Sequence, residues 1–150
     1  MRRIAAVALA AGTLMAGMTA VSAPANATPA QAPAKAAAAK KWAPYDSYSN
    51  ISAWGTYTRG SKVYVTGYLR DGKKNGWTAC VRFLFKEGSK GYWSRHKIIG
   101  VRNGVEYNFD GVATVKISAS SSYNDHLYVQ ECGRNKKTGK YVYGKGKTLF

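Results

Sequence analysis

An all-β antiparallel sandwich is the fold class that this chain predicts, and three observations predict it. From Trp42 onward Tyr, Val, Trp, Phe and Thr dominate, and no stretch carries an apolar period of 3.6. Apolar and polar residues alternate instead with period two, in segments bounded by Gly, Asn or Asp. These segments recur about every ten residues, which argues for seven or eight strands in two packed layers. An immunoglobulin-like arrangement and a barrel both remain open at this stage. A globular part of about 105 residues is large enough to bury a core without a metal.

The first segment runs over Ile51–Thr58 and stops at Arg59-Gly60. Lys62–Arg70 follows, with Val63, Val65 and Leu69 on one face and Tyr64, Thr66 and Tyr68 on the other. The stretch Asp71-Gly72-Lys73-Lys74-Asn75-Gly76 holds both Asp-Gly and Asn-Gly, the strongest short-range turn signals. Trp77–Lys86 places Trp77, Ala79, Val81, Phe83 and Phe85 together. Tyr92–Val101 ends near Asn103-Gly104, and Val105–Phe109 reads as a short strand before Asp110-Gly111. Val112–Ala119, His126–Cys132 and Tyr141–Phe150 complete the set.

The N-terminus has a different character. Arg2 and Arg3 precede an uncharged apolar run, Ile4–Val21, which is followed by Ala25-Asn26-Ala27. A basic start, an apolar middle and a small-x-small site together read as a secretory signal over residues 1–27. Residues 28–44, rich in Ala, Pro and Lys, read as a flexible linker, leaving 45–150 as a single β-sandwich domain. The chain has 23 Lys and Arg against 7 Asp and Glu. Removal of the signal leaves a charge of about +14, a field that attracts polyanions. A secreted, extracellular monomer is expected, with no transmembrane segment after cleavage.

Cys80 and Cys132 are the only cysteines, so in an exported chain one pairing is expected. By alternation each sulfur falls on the polar face of its strand, opposite Val81 and Phe83 in one case and Leu127 and Val129 in the other. The disulfide should therefore staple neighbouring strands of one sheet across its wetter, outer side rather than cross the core.

Other chemistry is sparse. His96 and His126 are the only histidines, and no nucleophile or paired carboxylates accompany them. No catalytic residue, metal-ligand set or cofactor is expected. The one surface constellation is a candidate binding face of Arg82, Tyr128, Tyr141, Tyr143, Lys145 and Lys147, with Gln130 beside them. Tyrosines interleaved with cations suit nucleic acid or a charged glycan. A candidate basic loop, Arg134, Lys136, Lys137 and Lys140, adjoins it. The expected function is a non-enzymatic, exported basic protein that binds an anionic polymer, either a cell-wall polymer or nucleic acid. The alternatives are a secreted antimicrobial or toxin protein, and an inhibitor of an exported enzyme that presents Asp71–Gly76 or Ser120–Asp125 to a protein partner. A small nuclease would need His96 and His126 in one cleft.

The strand Val63-Tyr64-Val65-Thr66-Gly67-Tyr68, the approach Thr78-Ala79-Cys80-Val81 and the late strand Leu127-Tyr128-Val129-Gln130-Glu131-Cys132 carry a resemblance. With the Ala-rich signal, this arrangement resembles small secreted β-rich proteins of Streptomyces and related actinobacteria. The resemblance covers about residues 50–133. It implies export and a sandwich-like fold, and it brings no activity or catalytic residue with it.

Overall fold

The computed structural model describes residues 38–102, 105–106 and 109–150. The expected signal and most of the expected linker lie outside the described residues. Among those described there is no helix, and twelve strands follow in order. They are β1 (Lys40–Trp42), β2 (Ile51–Arg59), β3 (Val63–Asp71), β4 (Trp77–Glu87), β5 (Lys90–Trp93) and β6 (Lys97–Ile98). Then come β7 (Val101–Arg102), β8 (Val105–Glu106), β9 (Ala113–Ser121), β10 (His126–Asn135), β11 (Tyr141–Tyr143) and β12 (Lys147–Thr148).

The five long strands are those that alternation marked. The count exceeds seven or eight because β1 is added and two expected strands are broken. Tyr92–Val101 divides among β5, β6 and β7, with Gly100 in the left-handed region between the last two. Tyr141–Phe150 divides into β11 and β12 around Gly144-Lys145-Gly146.

Two antiparallel sheets form the sandwich, in the orders β1-β2-β3-β9 and β11-β10-β4-β5; β6 pairs with β4 and β12 with β10. This is an immunoglobulin-like strand order, with β2, β3 and β9 in the places of A, B and E, and β4, β10 and β11 in those of C, F and G. One sheet curls into a half-barrel. Between the edge strands β5 and β9 of the two sheets, the Tyr92 hydroxyl donates to the Ser120 carbonyl at 3.3 Å. Both architectures anticipated from sequence thus have a share in the fold.

Burial follows the predicted parity. Val63, Val65 and Leu69 of β3 and Ile51, Ala53 and Tyr57 of β2 meet Val81, Phe83 and Phe85 of β4 and Leu127 and Val129 of β10 in one core. Full burial of each large apolar side chain contributes about 1.5–3 kcal/mol, the main drive for closing the two layers. Trp42 joins this core at 3% exposure. Its ring meets Phe83 edge-on, with centroids 5.2 Å apart, and its indole N–H donates to the Thr66 carbonyl at 3.0 Å.

Space for Trp42 comes from a glycine pair. Gly55 and Gly67 face each other across β2 and β3. A Cβ on Gly67 would lie 2.1 Å from the Trp54 carbonyl oxygen and 2.7 Å from the Trp42 ring. The linker expected over residues 28–44 is corrected accordingly: Lys40–Trp42 is a strand whose last side chain plugs the core. A lone tryptophan after Ala and Lys carries no periodicity, so sequence pattern could not place it.

Cys80 and Cys132 are directly paired residues of β4 and β10, bonded with their Cα atoms 4.8 Å apart. The staple within one sheet is as expected. Its surroundings are not: both cysteines are fully buried, in a small cluster with Ile98 of β6 and with Tyr141 packed against it. The outer side is dry there because Ile98 and Tyr141, on the strands β6 and β11 that flank β4 and β10, pack against the disulfide.

Candidate binding faces

The face predicted from sequence is only partly assembled. Tyr143 pairs with Cys132 and Tyr141 with Arg134, so both tyrosines rise on the outer side of β10. Arg82 and Gln130 are cross-strand partners on that same side, as are Tyr128 and Leu84. Beyond Tyr143 the register slips. Val129 pairs with Lys147, so β10 advances three residues from Cys132 while the last strand advances four from Tyr143. This one-residue bulge reverses parity and turns Lys147 to the side opposite Tyr141 and Tyr143. Lys145 and Lys147 instead stand over the ring of Tyr45, at 5.2 and 5.5 Å. The expected run Tyr141, Tyr143, Lys145, Lys147 on one face is therefore corrected to two clusters.

Of the remaining members Tyr128 lies beside His126, with ring centroids 6.4 Å apart, and the others are bound among themselves or to their neighbours. The Arg82 guanidinium lies between the rings of Trp93 and Tyr143, 3.9 Å from each centroid. Its Nε and one terminal nitrogen donate to Gln130 Oε1 at 2.9 and 2.7 Å, and Gln130 Nε2 donates to the Gly144 carbonyl at 2.7 Å. Burial lowers the Arg82 pKa from its ordinary value, though guanidinium stays charged in proteins. His96 continues the ladder, stacked on Tyr141 at 4.1 Å and bonded to the Tyr143 hydroxyl at 3.2 Å. Both faces of the Arg82 cation are covered, so it closes a structure rather than offering one.

The predicted basic loop is a tight β10–β11 turn. Asn135 Oδ1 accepts from the Lys137 and Thr138 amides, and the Asn135 amide donates to the Lys140 carbonyl. Lys136 is paired with Asp110 at 3.2 Å, and Asp110 also accepts from the amides of Asn75 and Gly76. These bonds, with that to Gly76 first, hold the Asp110 carboxyl below the usual carboxylate range. Lys137 and Lys140 are exposed, and Arg134 is half-buried over Gly139.

The opposite sheet carries a face that sequence reading did not single out. Alternation and register place four rows on the outside of β1, β2, β3 and β9. The rows are Lys41–Thr56–Thr66–Ser118, Trp54–Tyr68–Lys116, Ser52–Arg70–Thr114 and Thr58–Tyr64–Ser120. None of these residues is acidic. Trp54, Tyr64 and Tyr68 are 43%, 53% and 46% exposed. Trp54 and Tyr68 stack on each other with centroids 5.8 Å apart. A shallow cleft of about 340 Å³ is lined by Tyr64, Thr66, Ser118 and Ser120 together with Lys97 of β6. Burial, and then repulsion from Arg95, lowers the Lys97 pKa. The signal was available, since Tyr64, Thr66 and Tyr68 alternate with buried valines in one strand; Trp54, Lys41 and Lys116 join them only through pairing.

The two histidines do not converge. His96 sits beside Tyr141 and Tyr143, whereas His126 pairs with Lys86 at the start of β10. His126 stands six strand steps, about 20 Å, along β10 from Cys132, the partner of Tyr143. Asp125 does not orient His126 either; its Oδ2 accepts from the Gly88 amide at 2.6 Å. Among the described residues no three His, Cys, Asp or Glu side chains come together as a metal site. The most unusual acid is Glu131, fully buried beside the core: Oε2 accepts from the Ser47 amide at 2.6 Å, and Oε1 has no partner. No protein-family model matches the chain, and no curated protein or solved structure matches it.

Proposed function

We propose that this protein is an exported, non-enzymatic binding module that holds an anionic polymer against the outer face of the β1-β2-β3-β9 sheet. One observation carries the reading: that face combines three cations, Lys41, Arg70 and Lys116, with three exposed rings and has no acid in its paired rows. Cations without neighbouring carboxylates are not neutralised internally, so their field acts on a partner. The excess of basic residues over the whole chain draws such a partner in and keeps it near. Export is supported by the buried Cys80–Cys132 bond, which belongs to oxidising compartments, and by the basic-apolar-small pattern of residues 1–27. The resemblance to secreted actinobacterial proteins points the same way. Among the described residues no helix is long and apolar enough to cross a membrane.

The test is retention of the protein on immobilised polyanion as salt is raised. Retention should fall steeply with salt, because release of counterions drives such binding. The variant Lys41→Ala/Arg70→Ala/Lys116→Ala should elute at clearly lower salt, with its melting temperature nearly unchanged. A triple variant that elutes with the wild type would remove this face from the function.

A further inference from the structure

We infer that the polymer is an acidic polysaccharide, with sugar rings seated against Trp54 and Tyr68 and its anionic groups met by Lys41, Arg70 and Lys116. This rests on the reading above and goes further by naming the polymer. Two features of the face favour a charged glycan over nucleic acid, and a third accommodates it.

The first is the density of charge. Four strands at about 4.8 Å spacing make a face roughly 15 Å wide, and only three cations stand in its rows. Nucleic acid presents a negative charge about every 1.7 Å along a duplex axis and about every 3.4 Å along one strand. A polysaccharide with one carboxylate or phosphate on each repeat is sparser, and it matches the spacing of cations set in separate rows.

The second is the hydroxyl lattice. Ser52, Thr56, Thr58, Thr66, Thr114, Ser118 and Ser120 fill the positions between rings and cations. Thr56 and Thr66 bring their hydroxyls within 3.4 Å of each other. A Ser or Thr hydroxyl both donates and accepts, which matches the hydroxyls of a sugar; a phosphodiester backbone offers only acceptors, and the donors of nucleic acid sit on its bases. The cleft beside Tyr64 and Lys97, at about 340 Å³, lies within the size range of sites for small-molecule-sized groups.

The third is ring geometry. Nucleobases bind single-strand platforms by stacking on open ring faces. Trp54 and Tyr68 pack on each other with planes 30° apart, so the space between them is closed. Their outer surfaces remain, and the C–H faces of sugar rings can pack there without entering the gap; a single base could use the same surfaces, so the oligothymidylate arm of the test separates the two.

The experiment compares three probes at one ionic strength: polygalacturonate, which has sugar rings and carboxylates; polyglutamate, which has carboxylates alone; and an oligothymidylate. Wild type should bind polygalacturonate most tightly. Trp54→Ala and Tyr68→Ala should each weaken that binding at least tenfold and leave polyglutamate binding within twofold, while Trp54→Phe and Tyr68→Phe, which keep a ring, should restore most of it. Equal loss on both carboxylate polymers, no loss on either, or tighter binding of oligothymidylate by wild type would overturn the inference. In those cases sensitivity to the Lys41/Arg70/Lys116 triple variant would leave the broader function standing. Wild type that binds none of the three probes would overturn both.

Discussion

The two outer faces of the sandwich are made of the same kinds of residue and put them to opposite uses. On the β11-β10-β4-β5 sheet, Trp93, Arg82, Tyr143, His96 and Tyr141 form a ladder in which neighbours stack on or bond to one another, with the disulfide beneath. On the β1-β2-β3-β9 sheet, Lys41, Arg70, Lys116 and the exposed rings stand over a plain hydroxyl lattice. Aromatic residues mixed with cations thus describe both a structural brace and a binding surface. What separates them is whether a cation's faces and donors are already used. Arg82 has a ring on either side and two bonds to Gln130, so most of its capacity is internal.

The largest expected effect breaks the brace and leaves the other face alone. The Cys80–Cys132 bond closes a separation of 52 residues. In the chain-entropy description its loss destabilises the fold by about 4 kcal/mol. Cys80→Ala/Cys132→Ala should therefore unfold at much lower denaturant, measured by intrinsic fluorescence. While the variant is still folded, at low temperature, its retention on polyanion should match wild type. Loss of retention in folded double variant would mean that the two faces are not separable.

A smaller change sharpens the contrast. Arg82→Ala removes two cation–ring contacts and the paired bonds to Gln130, and leaves Gln130 Oε1 without those donors. A cost of about 2 kcal/mol follows from contacts of this type. Arg70→Ala on the other sheet should cost less than about 0.5 kcal/mol, as exposed substitutions usually do. Binding should show the reverse order, with Arg70→Ala weakened and Arg82→Ala unchanged. Chemical denaturation and salt elution on the same two proteins measure both halves. An Arg82 variant that loses binding but not stability would return this residue to the functional face.

The same contrast shows where sequence reading succeeds and where it stops. The sandwich, its long strands and the pairing of the two cysteine strands were legible because alternation in Val63–Leu69, Ala79–Phe85 and Leu127–Val129 assigns an inside and an outside with no further knowledge. Lys147 was misplaced because a single bulge near Gly144 reverses parity, and Gly-Lys-Gly gives no sign of which residue is extra. Trp42 was assigned to a linker because its pocket is made by Gly55 and Gly67, and the need for two glycines is visible only when their strands pair. The face of Trp54, Tyr68 and Lys116 is not legible in the sequence for a related reason. Its members come from three strands, and each strand alone displays only part of an ordinary solvent side.

The smallest predicted effect concerns an acid of a central strand that points inward, Glu131. Glu131 pairs with Val81 on the inner side of β10. Burial raises its pKa, opposed by the Ser47 amide bond and reinforced by the nearby Asp46 carboxylate; Tyr48 is raised too, by burial and then by the charge of Glu131. Asp71 is likewise raised by burial, against bonds from the Ala79 and Lys73 amides. A carboxyl whose pKa is higher folded than unfolded holds its proton more firmly in the native state. Stability from that proton is present below the unfolded pKa and is lost as pH rises through the folded one. Glu131→Gln removes that group from the titration. Relative to wild type its melting temperature should improve as pH is raised from the acid side of the carboxylate range towards neutrality, by no more than a few degrees, in thermal scans across that window. Asp71 continues to titrate in both proteins, so the difference between the curves isolates Glu131. A constant offset at every pH would mean that Glu131 titrates alike in the folded and unfolded chains, so that burial does not raise its pKa.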